Sequence, residues 1–252
     1  MKKIKSSEIL LITIVSVCIV LLLLCSCNKV RNMDYDKANE KTKSLDAYSM
    51  TIDTIVTIDD GENVKQNAIS QLAKVDGDIY NVETEATTTD VSNGAVSRQE
   101  NSYMYYLDKY YYTYPGAKYT SPVSYDEAMA NLKKLTNIIS FDEADMVDLV
   151  KTYDDNDEYA VFNFTISYDA VSEHIKNLLQ SAANTFENVN FSPVEIAASA
   201  TVHKAGYVKE RDLYVEYKGD GGESIVLEIY TSLGDAPVLE APDASQYVNI
   251  VE

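Results

Sequence analysis

Residues 48–58 read Tyr-Ser-Met-Thr-Ile-Asp-Thr-Ile-Val-Thr-Ile, and their pattern decides the fold class. Large apolar side chains recur at every second position over most of the stretch, which is the period of a strand with one buried face. These side chains are those of Tyr48, Met50, Ile52, Val56 and Ile58. Asp60-Gly61 follows directly and supplies a turn. The stretch therefore predicts the first strand of an antiparallel sheet.

The same pattern recurs along the rest of the chain. Further strands are predicted at residues 63–75, 79–89, 96–107, 110–114, 146–153, 159–168, 194–202, 207–217 and 225–233. Ser124 and Glu127 have capping-box spacing ahead of a helical pattern that runs to about residue 139, and a second helical pattern covers residues 170–186. About ten strands and two helices, with no linker-like break, predict one α+β domain over residues 47–252.

Composition excludes two classes of protein. The chain has 252 residues with 21 Lys and Arg against 40 Asp and Glu, so its formal charge is −19. A nucleic-acid partner is not expected, because binding to nucleic acid needs a basic face that neutralises phosphates. The 46% of apolar residues also exclude a disordered acidic tail.

The first 27 residues carry targeting information. Three lysines precede an apolar run over residues 9–24, which is short for a membrane span, and Ser26-Cys27 stands at its end. This junction resembles the lipobox of bacterial lipoproteins. The resemblance implies a signal peptide over residues 1–26 and a diacylglyceryl group on Cys27. An uncleaved signal anchor is the alternative, and Cys18 and Cys25 are poorer acceptors because bulky residues precede them.

The lipobox implies a place in the cell. A diacylglyceryl anchor would hold the protein on the extracytoplasmic face of the cell membrane. Residues 27–46 contain few large apolar side chains and are predicted to form a flexible tether. The folded body beyond them has 13 basic and 35 acidic residues and no cysteine, so no disulfide is expected there.

Several short motifs resemble the LolA/LppX-like lipoproteins, in particular a Gram-positive branch of that group. They are the aromatic segment 103–112, Pro115-Gly116-Ala117-Lys118-Tyr119, the hairpin over residues 200–211 with Lys204 and Gly206-Tyr207, and the closing segments 233–238 and 241–244. The resemblance implies a half-barrel, in which a large curved antiparallel sheet wraps around the helices. It also implies an apolar cavity that accepts lipids or acyl chains. It carries over no catalytic residue.

The sequence offers little for catalysis, and no catalytic residue, metal site or cofactor is predicted. His174 and His203 are the only histidines, and both are expected to be structural or solvated. The acidic run 154–158 lacks the glycine and the later Glu of an EF-hand loop, so it is interpreted as a solvated turn. No nucleophile elbow or phosphate-binding glycine loop occurs, and a hydrolase remains the least favoured function.

Tyrosines are concentrated in one region. Of the 20 tyrosines, eight fall between Tyr103 and Tyr119. Packing in the sheet is the favoured interpretation, because Tyr has a high strand propensity and cross-strand aromatic pairs stabilise sheets. Lining of a ligand cavity and an exposed platform for sugars are the alternatives.

Two functions lead. The first is a surface-anchored lipoprotein that binds or carries a lipid or acyl chain in a cavity between sheet and helices. Its predicted ligand-binding residues are Met50, Ile52, Val56, Tyr106, Leu227 and Ile229, and those on the apolar strand face would either line the cavity or fill a core. The second is an acidic adaptor that recruits a basic protein of the cell envelope through its charged surface.

Overall fold

The computed structural model describes residues 33–250, and twelve strands within that range form one sheet. The strands are β1 (Ala47–Asp59), β2 (Val64–Asp76), β3 (Ile79–Asp90), β4 (Ala95–Tyr105), β5 (Lys109–Tyr114), β6 (Ala117–Pro122), β7 (Val147–Tyr153), β8 (Tyr159–Thr165), β9 (Phe191–His203), β10 (Tyr207–Gly219), β11 (Ser224–Gly234) and β12 (Val248–Asn249). The helices of the same range are α1 (Tyr35–Lys43), α2 (Tyr125–Thr136) and α3 (Glu173–Ala183). Single 3-10 turns occupy Glu143–Asp145, Tyr168–Ala170 and Ala244–Gln246.

The sheet consists of two meanders. Its strand order is β12-β6-β5-β4-β3-β2-β1-β11-β10-β9-β8-β7. Strands β1 to β6 form the first meander and β7 to β11 the second, and the two join where β1 pairs with β11 in antiparallel register. Only the short β12 runs parallel to its neighbour, β6. Because β12 and β7 lie at opposite edges, the sheet is open.

The helices lie on the face of the sheet that the two-residue alternation buries. Met50 and Ile52 of β1 and Leu227 of β11 are almost fully buried on this face, together with Tyr35 of α1 and Ile175 of α3. The predicted α+β fold, a curved antiparallel sheet around helices, is therefore confirmed.

Two separate groups of buried side chains fill this face. The larger, which we call the aliphatic core, joins β1 and β8 to β11 with α1 and α3. Its largest members include Ile52, Phe162, Ile175, Leu179, Leu213, Leu227 and Ile229. The smaller, which we call the tyrosine core, joins β2 to β5 with α2. Its members are Ala73, Val75, Tyr80, Val82, Tyr105, Tyr110, Val123, Ala128 and Leu132.

The prediction of a flexible tether over residues 27–46 is wrong for residues 35–43, which form α1. The segment is polar overall, but four of its nine residues form one buried stripe at helical spacing. They are Tyr35, Ala38, Asn39 and Thr42. Asp34 caps the helix by accepting the backbone N–H of Lys37 at 3.1 Å. Tertiary packing thus orders a segment whose composition alone would not.

Two strands were not predicted. The first, β6, contains only six residues and follows the tight turn at Gly116, which has a positive φ of 77°. The second, β12, contains two residues and forms only by pairing with β6. The two predicted helices are present but shorter than expected. No helix within residues 33–250 is long and apolar enough to span a bilayer. The predicted signal peptide and Cys27 lie outside the described residues.

Candidate functional site

A cavity of about 360 Å³ lies where the two cores meet. Its lining comes from the C-terminal ends of α1 and α2 and from strands β1, β2 and β10. The lining residues are Thr42, Lys43, Leu45, Asp46, Tyr48, Met50, Val75, Gly77, Met129, Leu132, Lys133, Thr136, Asn137 and Arg211. Its volume falls near the lower end of the roughly 300–1,000 Å³ that is usual for small-molecule sites.

Local structure fixes one rim of the cavity. After α1 ends at Lys43, the chain turns into β1, and the backbone C=O of Asp46 accepts the N–H of Gly77 at 2.9 Å. Gly77 has a positive φ of 58°, which favours glycine at this turn between β2 and β3. Tyr48 and Leu135 contact both cores, so they mark the seam between them.

One side of the cavity is apolar. The side chains that form it are Leu45, Tyr48, Met50, Val75, Met129 and Leu132. Burial raises the pKa of the Tyr48 hydroxyl above its ordinary value. The wall can therefore contact a hydrocarbon group while Tyr48 remains neutral.

The lining also contains a buried arginine. Arg211 of β10 is only 3% exposed, and a terminal guanidinium nitrogen donates to the side-chain oxygen of Asn39 at 2.7 Å. The Nε of Arg211 is buried and has no hydrogen-bond partner. Within residues 33–250, no carboxylate forms an ion pair with this guanidinium. The lining therefore includes a buried cation that no carboxylate of the described residues neutralises.

Two lysines extend this positive charge to the rim. Lys43 and Lys133 are exposed lining residues, and Asp46 is the one acidic residue among those that line the cavity. The lining thus carries a formal charge of +2, whereas the whole chain carries −19. Lys43 also forms a 2.9 Å ion pair with Glu40, so Arg211 and Lys133 supply most of the available positive charge.

The predicted ligand-binding residues lie in three places. Met50 lines the cavity. Ile52, Leu227 and Ile229 are 0 to 1% exposed within the aliphatic core, and Val56, the direct cross-strand partner of Leu227, packs against that core. Tyr106 lies apart from both, at the turn between β4 and β5, where its backbone N–H donates to the C=O of Lys109 at 3.0 Å. The residues of the apolar strand face were expected either to line the cavity or to fill a core. Ile52, Leu227 and Ile229 belong to a filled core in this structure.

Sequence reasoning missed Arg211, although a signal was present. In β10 the buried positions continue as Leu213, Val215 and Tyr217, and Arg211 shares their phase. A basic residue in the apolar phase of a strand is unusual, because buried charges need a partner. A register shift between Val208 and Glu210 places Arg211 on the buried face and interrupts the alternation that would have drawn attention to it.

The tyrosine core is held by hydroxyl contacts as well as by packing. The hydroxyls of Tyr80 and Tyr110 are 2.8 Å apart, Tyr80 also donates to the C=O of Ala128 at 3.0 Å, and the amide of Asn131 donates to Tyr110 at 3.2 Å. Burial raises the pKa of Tyr80 far above its ordinary value and that of Tyr103 to about 12. Tyr105 and Tyr110 are both buried. Their positions agree with packing in the sheet, the favoured interpretation of the tyrosine-rich segment.

One acidic cluster has the spacing of a metal site. Single carboxylate oxygens of Asp34, Asp36 and Glu143 lie within 4.8 Å of one another. Each residue already accepts a backbone hydrogen bond: Asp34 from Lys37, Asp36 from Glu143 and Glu143 from Tyr35. The cluster thus joins the start of α1 to the turn at Glu143–Asp145.

The acidic run after β7 is a turn. Asp154 accepts backbone N–H groups from Asn156, Glu158 and Tyr159, and these contacts lower the pKa of its carboxyl. The carboxylate of Asp154 therefore stabilises the link between β7 and β8.

The two histidines occupy different environments. His174 is exposed on α3. The ring of His203 lies between those of Tyr159 and Tyr207, and its Nδ1 accepts the N–H of Ala205 at 3.2 Å. Burial is the main cause that lowers the pKa of His203, so its ring is neutral at pH 7.

Comparison with known proteins gives structural likenesses. No protein-family model and no curated protein matches the sequence. Among solved structures, LprF from Mycobacterium bovis is 9% identical, with a TM-score of 0.35, over 86% of this chain and 96% of that chain. A beta-barrel-like protein of a domain of unknown function from Brucella abortus is 10% identical, with a TM-score of 0.18, over 75% of this chain and 98% of that chain. These likenesses assign no function to this chain.

Proposed function

We propose that this protein is a lipid-anchored lipoprotein that binds an apolar or amphiphilic ligand on the extracytoplasmic face of the cell membrane. The observation that carries the proposal is the cavity of about 360 Å³ with its apolar wall of Leu45, Tyr48, Met50 and Leu132. The cavity is partly open to solvent, since its lining includes the exposed Lys43, Asp46 and Lys133 as well as this apolar wall. A cavity of this size between two otherwise filled cores is the feature of the fold best suited to a guest.

The anchor supports the same function. A diacylglyceryl group on Cys27 would keep the cavity within reach of membrane lipids, because the helix α1 that lines it begins eight residues after the lipidated cysteine. At most about 3.5 Å per residue, that connection spans less than about 30 Å. Such an anchor would hold the cavity close to a source of acyl chains.

Binding can be tested on the chain from residue 27 onward with Cys27→Ser, which keeps every described helix and strand. The natural chain contains no Trp, so each variant below introduces a single one, and binding is measured by the fluorescence of the fatty acid. Met129→Trp places a larger side chain in the cavity wall, whereas Met104→Trp, on a residue that does not line the cavity, is the matched control. Binding of a fluorescent polyene fatty acid should weaken at least about tenfold in Met129→Trp and remain unchanged in the control.

The proposal fails if the unsubstituted chain binds none of a fatty acid, a fatty alcohol, a lysophospholipid and a diacyl phospholipid. It also fails if Met129→Trp and Met104→Trp weaken binding equally. Lipids extracted from the protein after purification, and identified by mass spectrometry, would name the physiological ligand. The anchor is tested separately: Cys27→Ala should abolish acylation, and acylated protein in that variant would exclude Cys27 as the acceptor.

The convex face favours a second candidate function, recognition of a basic protein. Asp53, Tyr230 and Asp212 lie side by side on β1, β11 and β10, and Glu228 borders the same shallow depression of about 230 Å³. Such a face attracts cationic partners in a salt-dependent way. Capture of an envelope protein that is lost in Asp212→Asn with Glu228→Gln, but retained in the cavity variant Met129→Trp, would support this function.

A further inference from the structure

We propose that the ligand of the cavity is a single-chain anionic amphiphile, whose carboxylate or phosphate oxygen is bound by Arg211. This inference rests on the proposed function, because it names the chemical class of ligand for the same cavity. It combines two observations on the same lining: a set of apolar side chains and a buried guanidinium without a carboxylate partner.

The burial of Arg211 is costly unless a partner is present. A guanidinium has five N–H donors, and an arginine that is 97% withdrawn from solvent has lost most of its hydration. Asn39 is a neutral acceptor and binds one terminal nitrogen. No carboxylate of the described residues neutralises this charge, so an anionic oxygen at the part of Arg211 that lines the cavity would make a charge-assisted contact that the protein itself does not provide.

Arg98 differs from Arg211 in its ion pairs. Arg98 on β4 is exposed and forms ion pairs with Glu85 at 2.7 Å and Glu100 at 2.8 Å. Its charge is therefore neutralised by neighbouring strand residues. Arg211 belongs to a chain with almost twice as many acidic as basic residues, yet within residues 33–250 none of those acids pairs with it. The charge of Arg211 is therefore not neutralised by an ion pair within the described residues, unlike that of Arg98.

The ends of α1 and α2 make a smaller, opposite contribution. Thr42 and Lys43 belong to the last turn of α1, and Lys133 and Thr136 to the last turn of α2. Helix C-termini carry partial negative charge, which lowers the positive potential of the lining to which these residues belong. The last carbonyls are largely used by the caps, since Ser44 donates to Glu40 and Lys41 and Asn137 donates to Lys133. The helix ends therefore offset only part of the positive charge that Arg211, Lys43 and Lys133 give to the lining.

Volume limits the hydrocarbon part. About 360 Å³ lies near the lower end of known ligand sites, which suits one chain and a small polar group rather than a lipid with several chains. The exposed Lys133 at the rim provides a second positive charge within the lining. A fatty acid or a lysophosphatidic acid has this combination of one chain and one anionic group.

The test compares ligands of equal chain length on the chain from residue 27 with Cys27→Ser. The fatty acid should bind at least about tenfold more tightly than the fatty alcohol, because the charge-assisted contact is available only to the acid. Arg211→Met should lower the affinity for the fatty acid by about tenfold to a hundredfold and leave the affinity for the fatty alcohol unchanged. Arg211→Lys should recover part of the affinity for the acid, since it restores the charge. Arg98→Met is the matched control and should bind both ligands normally.

Each outcome separates the two proposals. If the alcohol binds as tightly as the acid, and Arg211→Met affects neither, then the anionic ligand is excluded while the cavity function stands. If no chain-bearing ligand binds, the proposed function itself fails. Inorganic phosphate should compete only weakly; if it binds as tightly as the fatty acid through Arg211, the amphiphile is excluded in favour of a free anion. Retained alcohol binding in Arg211→Met shows that the variant is folded.

Discussion

The two cores on the buried face use different means to fill space. The aliphatic core contains mainly branched side chains and Phe, and is covered by α1 and α3. The tyrosine core depends on rings whose hydroxyls need partners, and those of Tyr80 and Tyr110 find them in each other, in Ala128 and in Asn131. Aliphatic side chains pack without directional constraint, whereas tyrosines are fixed by their hydrogen bonds. The cavity lies at the seam between the two kinds of packing.

The comparison also separates stability from binding. The aliphatic core holds the deepest predicted ligand residues, Ile52, Leu227 and Ile229, yet none of them lines the cavity. Substitution within either core should therefore change the free energy of unfolding, while substitution at the seam should change ligand affinity. The following predictions test this division on the chain from residue 27 with Cys27→Ser.

The largest effect is expected at Tyr35, where α1 enters the aliphatic core. Its ring is fully buried and lies 5.8 Å from that of Phe162. Tyr35→Ala should lower the free energy of unfolding by about 3–5 kcal/mol, measured by urea denaturation. Tyr35→Phe is the control and should be neutral or stabilising, because the Tyr35 hydroxyl is buried without a partner. If neither substitution changes stability, residues 35–43 are a tether after all.

Leu227→Ala tests the centre of the aliphatic core. Leu227 is fully buried, so the substitution should cost about 2–5 kcal/mol through lost burial and a new void. Leu149→Ala on the edge strand β7, where the side chain is 38% exposed, should change stability by less than about 0.5 kcal/mol. Neither variant should alter affinity for a fatty acid. A large loss of affinity in Leu227→Ala would extend the cavity into this core.

A smaller effect is expected in the tyrosine core. Tyr80→Phe removes a hydroxyl that bonds Tyr110 and Ala128, and should lower the free energy of unfolding by about 1 kcal/mol. The residual partner of Tyr110 is Asn131, which limits the loss. Tyr114→Phe, at a side chain that is 40% exposed, should have no measurable effect. Equal effects of the two substitutions would exclude a role for the hydroxyl network.

The smallest effect concerns the pH dependence of stability and is expected only at alkaline pH. The pKa of Tyr103 is raised from 10.0 to about 12, chiefly by burial, so the unfolded chain loses this proton first as pH rises. The stability associated with neutral Tyr103 is complete below pH 10 and should decline as pH rises through about 12. Tyrosinate absorbance should show a late-titrating phase that becomes smaller in Tyr103→Phe, and the stability of this variant should fall less steeply. If the late phase is unchanged in Tyr103→Phe, it belongs to other tyrosines and the prediction for Tyr103 is wrong.

Local signals predicted most of the fold. Alternation with turn signals such as Asp60-Gly61 gives ten of the twelve strands within residues 33–250, and the cap at Ser124 gives the start of α2. These features depend on neighbours in the sequence, so they can be read without the tertiary structure. The two strands that were missed are short: β6 has six residues and pairs along its whole length with β5, whereas the two residues of β12 pair only with β6, more than 120 residues away in the sequence.

The candidate site was only partly predictable, and Met50 shows why. Its place on the buried face follows from the period of β1, but whether that position lines a void or fills a core depends on what packs opposite. Tyr106 was predicted as a ligand-binding residue from an aromatic run, and the structure places it at the end of the hairpin between β4 and β5, outside the lining of this cavity. Which positions share a cavity is set by contacts between distant segments.

The sequence by itself determined the alternation, the turns, the acidic charge and the expectation of an anchor at Cys27, because each depends on residue type and local spacing. Only the tertiary structure decided that residues 35–43 are a helix, that the two cores remain distinct, and that Arg211 lies against a cavity without a carboxylate partner. The physical reason is that burial is a property of the assembled layers. A polar segment becomes ordered, and a charged side chain becomes a binding group, through what folding places beside it.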